Sequence, residues 1–103
     1  MAFYIDCNQE QGFLQVRLTG DLDINTSPEL KKIVLDEYHK EPAHIIFDME
    51  KLDYLDSTGL GALISIYKNA KQGEHTVTVK NARPQIKKLF VITELNHLFL
   101  MED

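Results

Sequence analysis

A chain of 103 residues, 44% of them hydrophobic and 26% charged, has room for one domain and one modest core. Its formal net charge of −5 argues against nucleic acid, whose phosphates call for a basic face, and against an anionic membrane surface. One cysteine (Cys7), no leader-like run after Met1 and no stretch near the roughly 20 apolar residues of a membrane helix point to a reducing, cytoplasmic setting.

Phe3 to Asn8 reads as a first strand, and Gln9-Glu10-Gln11-Gly12 as a turn. Phe13 to Thr19 alternates, with Leu14, Val16 and Leu18 on one side and Gln15, Arg17 and Thr19 on the other, which predicts a half-buried strand. Gly20 to Asn25 reads as a loop. Thr26-Ser27-Pro28-Glu29 has the pattern of a capping box, a hydroxyl followed three residues later by glutamate. Leu30, Ile33, Val34 and Tyr38 then share one helical face, and Pro42 marks its stop.

His44 to Met49 contains three successive apolar residues, the pattern of a central strand buried on both faces. From Thr58 the period turns helical, with Leu60, Leu63, Ile64 and Tyr67 on one face and Lys71-Gln72-Gly73 as the terminus. Thr76 to Lys80 alternates as a strand. Pro84 opens a third helix carrying Ile86, Leu89 and Phe90, and Leu98 to Met101 could form a last short strand. The order β-β-α-β-α-β-α-(β) predicts a single α/β domain over 1–103. Its sheet should be mixed and four- to five-stranded, with helices mainly on one face, because the strands around Leu14 and Val77 each keep a polar side.

Asp56-Ser57-Thr58-Gly59-Leu60-Gly61 begins the second helix in an unusual way. Each glycine costs helix stability by about 0.5–1 kcal/mol relative to alanine. If Ser57 is near the N-cap, free N–H groups and the positive end of the helix dipole surround it, and a phosphate there would find donors. The glycines would leave the backbone open to another molecule. The plainer reading is that serine is simply a favoured N-cap.

Catalytic readings fit less well. A nucleophilic serine needs a base, and His39, His44, His75 and His97 are scattered with neither pairing nor metal-ligand spacing. A Gly-x-Ser-x-Gly elbow is absent. The glycine falls one position late for the Asp-Thr/Ser-Gly element of an aspartic protease. Asp48 ends a strand as a receiver phosphoacceptor does, but the chain opens strand–strand rather than strand–helix. No phosphate-binding glycine loop is present. Cys7, Tyr4, Tyr54 and Tyr67 read as core or rim, and Lys87-Lys88 as a solvated helix face.

Arg17-Leu18-Thr19-Gly20-Asp21-Leu22-Asp23 and Asp56-Ser57-Thr58-Gly59-Leu60-Gly61 together resemble the two signature segments of STAS domains, specifically the stand-alone bacterial anti-sigma factor antagonists. The resemblance runs from Phe3 to about Met101. It implies a protein-interaction switch and not an enzyme, with no cofactor and no metal. Such antagonists bind an anti-sigma factor that is also an ATP-dependent serine kinase, and so free the sigma factor. The kinase inactivates them by phosphorylating the serine after the motif aspartate, and a PP2C-type phosphatase restores them. Carried over, the acceptor is Ser57, with Thr58 the second choice. The partner surface comprises Asp21, Asp23, Asn25 and Thr26 with Asp56, Ser57, Thr58, Gly59, Leu60, Gly61 and Ile64. A monomer or weak dimer is expected, with no direct nucleic acid or membrane contact. The alternative is a STAS scaffold subunit of a transport or stress-sensing assembly without a phosphoswitch. Many relatives continue with a further amphipathic helix, whereas this sequence ends at Asp103.

Overall fold

Two successive residues with positive φ, Gln11 (55°) and Gly12 (84°), close the first hairpin. A two-residue loop of this hand matches the right-handed twist of the strands it joins. It pairs β1 (Phe3–Glu10) antiparallel to β2 (Phe13–Leu22), with Phe3 opposite Gly20 and Glu10 opposite Phe13. The computed structural model describes residues 3–102. After β2 come α1 (Ser27–Lys40), β3 (His44–Leu55), α2 (Ser57–Gln72), β4 (Val77–Lys80), α3 (Pro84–Ile92), a 3₁₀ turn (Leu95–His97) and β5 (Leu100–Glu102). The strands lie in the order β1-β2-β3-β4-β5, and every pair after the first is parallel. The result is a single α/β domain with a five-stranded mixed sheet and three α-helices.

Each parallel pair is joined through a helix, and right-handed crossovers in one direction place all three helices on the same face. That face is the core. Leu14, Val16 and Leu18 of β2, Ile45, Phe47 and Met49 of β3, and Val77 and Val79 of β4 are buried against Leu30 and Val34 of α1 and Leu63 and Ile66 of α2. Ile86 and Phe90 of α3 join the same cluster, where Phe90 meets Phe99 edge-on with ring centres 5.4 Å apart. Burying side chains of this size contributes about 1.5–3 kcal/mol each.

Four local expectations are corrected. β2 and β3 run on to Leu22 and Leu55, because Gly20, Asp21 and Leu22 pair with Leu52, Tyr54 and Leu55, past register irregularities between Arg17 and Thr19 and between Gly20 and Asp21. The second face of β3 is not covered: Ile46 and Asp48 are only half-buried, as expected when all three helices lie on the other side. Thr26 is the N-cap of α1, but its side chain makes no cap bond, so the capping box does not form. The last strand begins at Leu100, since Leu98 and Phe99 leave the 3₁₀ turn first and Phe99 goes into the core.

Gly73 ends α2 with φ −87°, so the left-handed conformation passes to Glu74 (φ 63°). A side chain at Gly73 would collide with the Tyr38 hydroxyl, which lies 2.7 Å from His75 Nδ1. The glycine there makes room for a close approach and is not a left-handed cap.

Candidate functional site

The extension of β2 and β3 builds the site. At the end of the sheet, Asp56 N–H donates to the Leu22 carbonyl at 3.3 Å, joining the β2–α1 loop to the start of α2. Asp21, Asp23, Asn25 and Thr26 on the first segment thereby come beside Asp56, Ser57, Thr58 and Gly61 on the second. The loop is internally braced. The Thr26 hydroxyl donates to the Asp21 carbonyl at 2.8 Å and accepts from Asp23 N–H at 2.9 Å. One Asp23 carboxylate oxygen accepts from the backbone N–H groups of Asn25 (2.9 Å) and Thr26 (3.2 Å). Side chains that bond to nearby backbone in this way favour turns over continued strand.

Asp56, not Ser57, is the N-cap of α2, and its carboxylate accepts from Gly59 N–H at 2.8 Å. Ser57 becomes the first helical residue. It is exposed, as is Thr58, and neither hydroxyl has a hydrogen-bond partner among the described residues. Both therefore stand on the first turn of a 16-residue helix, beside N–H groups without intrahelical partners. That arrangement suits a hydroxyl that must be reached by another protein and can carry an anion.

The two glycines play different parts. Nothing lies within 4 Å of where a side chain on Gly61 would begin, so this position is open. At Gly59 a Cβ would come within 2.6 Å of the Leu22 carbonyl oxygen and 2.7 Å of Leu55. Gly59 and Leu60, expected on the partner-facing surface, are buried instead, because the first turn of α2 presses onto the ends of β2 and β3. The exposed surface of the segment is made by Ser57, Thr58 and Gly61, with Ile64 half-buried behind them.

Two large side chains at this end were not assigned to the site from sequence: Ile24, and Tyr54, which reads there only as core or rim. Ile24 and Tyr54 are 66% and 52% exposed. Ile24 lies in the acidic loop and Tyr54 pairs with Asp21 in the sheet. An isoleucine between two polar turn residues was the available signal for the first, whereas the exposure of Tyr54 depends on where β3 ends. Asp53 beside it is held in an ion pair by Arg83, whose Nε also donates to the Glu50 carbonyl at 3.1 Å.

The imidazoles gather elsewhere. The rings of His44 and His75 lie 5.2 Å apart, and Tyr38 packs against His75 and His39 at 5.5 and 5.7 Å. His44 opens β3 and His75 precedes β4, at the end of the parallel strands opposite Ser57. His44 Nδ1 accepts from Thr76 N–H at 2.9 Å, tying the start of β3 to the residue before β4. Among the described residues no group of three His, Cys, Asp or Glu is placed to hold a metal ion. A larger depression of about 370 Å³ lies on the uncovered sheet face. Its arginine, Arg17, is already paired with Asp6 at 3.6 Å and Glu10 at 3.3 Å. Burial pushes the Cys7 thiol up to about 11, so it is an inert, half-buried side chain near neutral pH. No helix among the described residues is long and apolar enough to cross a membrane.

The chain and its fold are matched by known proteins. The STAS domain family model matches residues 4–103, and the chain belongs to that family. An anti-sigma-B factor antagonist of Staphylococcus aureus is 30% identical over 103 residues, spanning 100% of this chain and 95% of the relative. An anti-sigma factor antagonist from Mycobacterium paratuberculosis shares the fold with a TM-score of 0.87 at 20% identity, covering 98% of this chain and 86% of that one. The phosphorylated form of the Bacillus cell fate determinant SpoIIAA does so with a TM-score of 0.75 at 20% identity, covering 97% and 90%.

Proposed function

We propose that the chain is an anti-sigma factor antagonist working as a phosphoswitch. In its unphosphorylated form it binds an anti-sigma factor that is also an ATP-dependent serine kinase, and so releases the sigma factor. Phosphorylation of Ser57 by that kinase ends the binding, and a PP2C-type phosphatase restores it. The observation that carries this reading is the exposed Ser57 hydroxyl on the first turn of α2, beside the acidic loop. The names of the relatives support it.

The chemistry of the switch follows from charge. A phosphate adds about −1.5 to −2 and three acceptor oxygens. The N-terminal turn of α2 accommodates that charge, so the fold need not change. A partner packed against the same surface must desolvate it beside Asp21, Asp23 and Asp56. Each 1.4 kcal/mol of that cost weakens binding about tenfold. Ser57 needs no base of its own, because the kinase supplies one.

Incubation with the cognate kinase and ATP, followed by mass spectrometry, should place the phosphate on Ser57. Ser57→Ala should abolish that modification and keep partner binding, and Ser57→Asp should weaken binding at least about tenfold. Phosphate found only on Thr58 or elsewhere, or full-strength binding by Ser57→Asp, would sink the proposal.

A further inference from the structure

β3 outruns its neighbour. β4 stops at Lys80, opposite Asp48, whereas β3 continues to Leu55. Among the described residues, the stretch from Met49 to Leu55 therefore has β2 on one edge and no strand on the other. Backbone groups on such an open edge must find partners of another kind.

The same stretch carries two bulges. The pairing passes from Arg17–Asp48 to Thr19–Lys51, and again from Gly20–Leu52 to Asp21–Tyr54, so each time β3 advances one residue more than β2. Glu50 and Asp53 fall in these two gaps and have no partner in β2. The burial pattern changes with them. Before Met49 buried and less buried residues alternate, whereas Met49, Leu52 and Leu55 are buried with pairs of exposed residues between them. Strict alternation would place residues 50 and 53 on opposite faces. The bulges bring them to one side, and bulges of this kind increase local twist and re-aim the side chains that follow.

One side chain holds both bulges. Arg83 Nε donates to the Glu50 carbonyl at 3.1 Å, and its guanidinium is ion-paired with Asp53. Arg83 precedes Pro84 and is extended (φ −64°, ψ 154°), as a residue before proline tends to be. Its own carbonyl accepts from the N–H groups of Ile86 and Lys87 in the first turn of α3. Two residues earlier, Asn81 Nδ2 donates to Asp48 at 3.2 Å, and Asn81 N–H donates to the Glu102 carbonyl at 3.1 Å. The guanidinium is thus carried on a loop anchored to β3, β5 and α3.

We infer that Arg83 is a positioning residue for the partner-facing end of the molecule. It fastens the two bulges of β3 and so sets the direction in which Tyr54 and the Asp56-Ser57 turn leave the sheet. Tyr54 follows the second bulge directly and is 52% exposed. Arg83 acts through it. The inference rests on the antagonist reading only for the identity of the partner.

The test compares Arg83→Met and Asp53→Ala with the parent in the full chain. Urea unfolding should shift little in either, because a half-exposed ion pair adds little to global stability. Hydrogen exchange followed by NMR should show the amides of residues 52–56 opening about fivefold more often or better in both variants, with those of residues 45–48 unchanged. Unchanged exchange at 52–56, or an equal rise in both stretches, would overturn the inference, the second because it marks a loss of general stability. Calorimetric titration with the cognate anti-sigma factor should show Arg83→Met weakening binding about fivefold or more, yet adding little to the loss from Tyr54→Ala, since both act through one side chain. Losses that simply add, or parent-strength binding by Arg83→Met, would also overturn it. The exchange measurement uses the free chain. If the parent bound no anti-sigma factor, the antagonist reading would fail, and exchange would still decide whether Arg83 holds the end of β3.

Discussion

Gly59 and Gly61 are two residues apart and have opposite surroundings. Alanine at 59 would push into the Leu22 carbonyl and the Leu55 side chain, whereas alanine at 61 would meet nothing. Gly59→Ala should therefore destabilise the protein by about 2 kcal/mol through overpacking against backbone. Gly61→Ala should stabilise it by about 0.5–1 kcal/mol through helix propensity. Urea unfolding of the two variants checks this, and changes of the same sign in both would contradict it. The sequence showed that both glycines burden the helix. It could not show which one is needed for packing, because Leu22 and Leu55 reach Gly59 only after β2 and β3 have paired beyond their expected ends.

For the helix as a unit, the start of α2 depends on the Asp56 side chain. Its carboxylate accepts from Gly59 N–H, a group otherwise without a partner. Asp56→Ala should cost about 1 kcal/mol of stability, and Asp56→Asn, whose amide oxygen can accept the same bond, only a few tenths. If equilibrium unfolding found the two equally damaging, the carboxylate charge rather than the cap would be responsible. The helical period from Thr58 onward made this element legible, and its start was misplaced by a single residue because Asp and Ser are nearly equal as N-caps. The ends of β2 and β3 were not legible. Their pairing beyond Arg17 and Asp48 passes through two shifts of register, which no local alternation of polar and apolar residues can signal.

Across the whole molecule, the opposite ends of the sheet are chemically distinct: acidic and hydroxyl groups at one, imidazoles at the other. The exposed apolar side chains of Ile24 and Tyr54 stand at the acidic end, where a partner that covers Ser57 would bury them. Each of Ile24→Ala and Tyr54→Ala should weaken binding of the cognate anti-sigma factor by roughly tenfold or more, as buried anchors of an interface do. Lys80→Ala and Leu100→Ala, on the uncovered sheet face, should leave it unchanged. Calorimetric titration distinguishes the two sets, and a larger loss from the second set would move the interface to the other side of the molecule. The polarity of the molecule could be anticipated from where the motifs fall along the strands, since both follow strand C-terminal ends. The two apolar anchors could not, because exposure is a property of the assembled surface.

The strand order carries a consequence for how the chain reaches this structure. Every strand pairs with the strand next to it in sequence, so the sheet can grow by one unit at a time without threading a later strand between earlier ones. The hairpin closes through a two-residue loop, and each further strand needs closure of a connection only as long as one helix and its turns. Loop-closure entropy rises slowly with length, and many moderate closures are faster than a few distant ones. Assembly outward from the β1–β2 hairpin is thus open to this chain while it is still being synthesised.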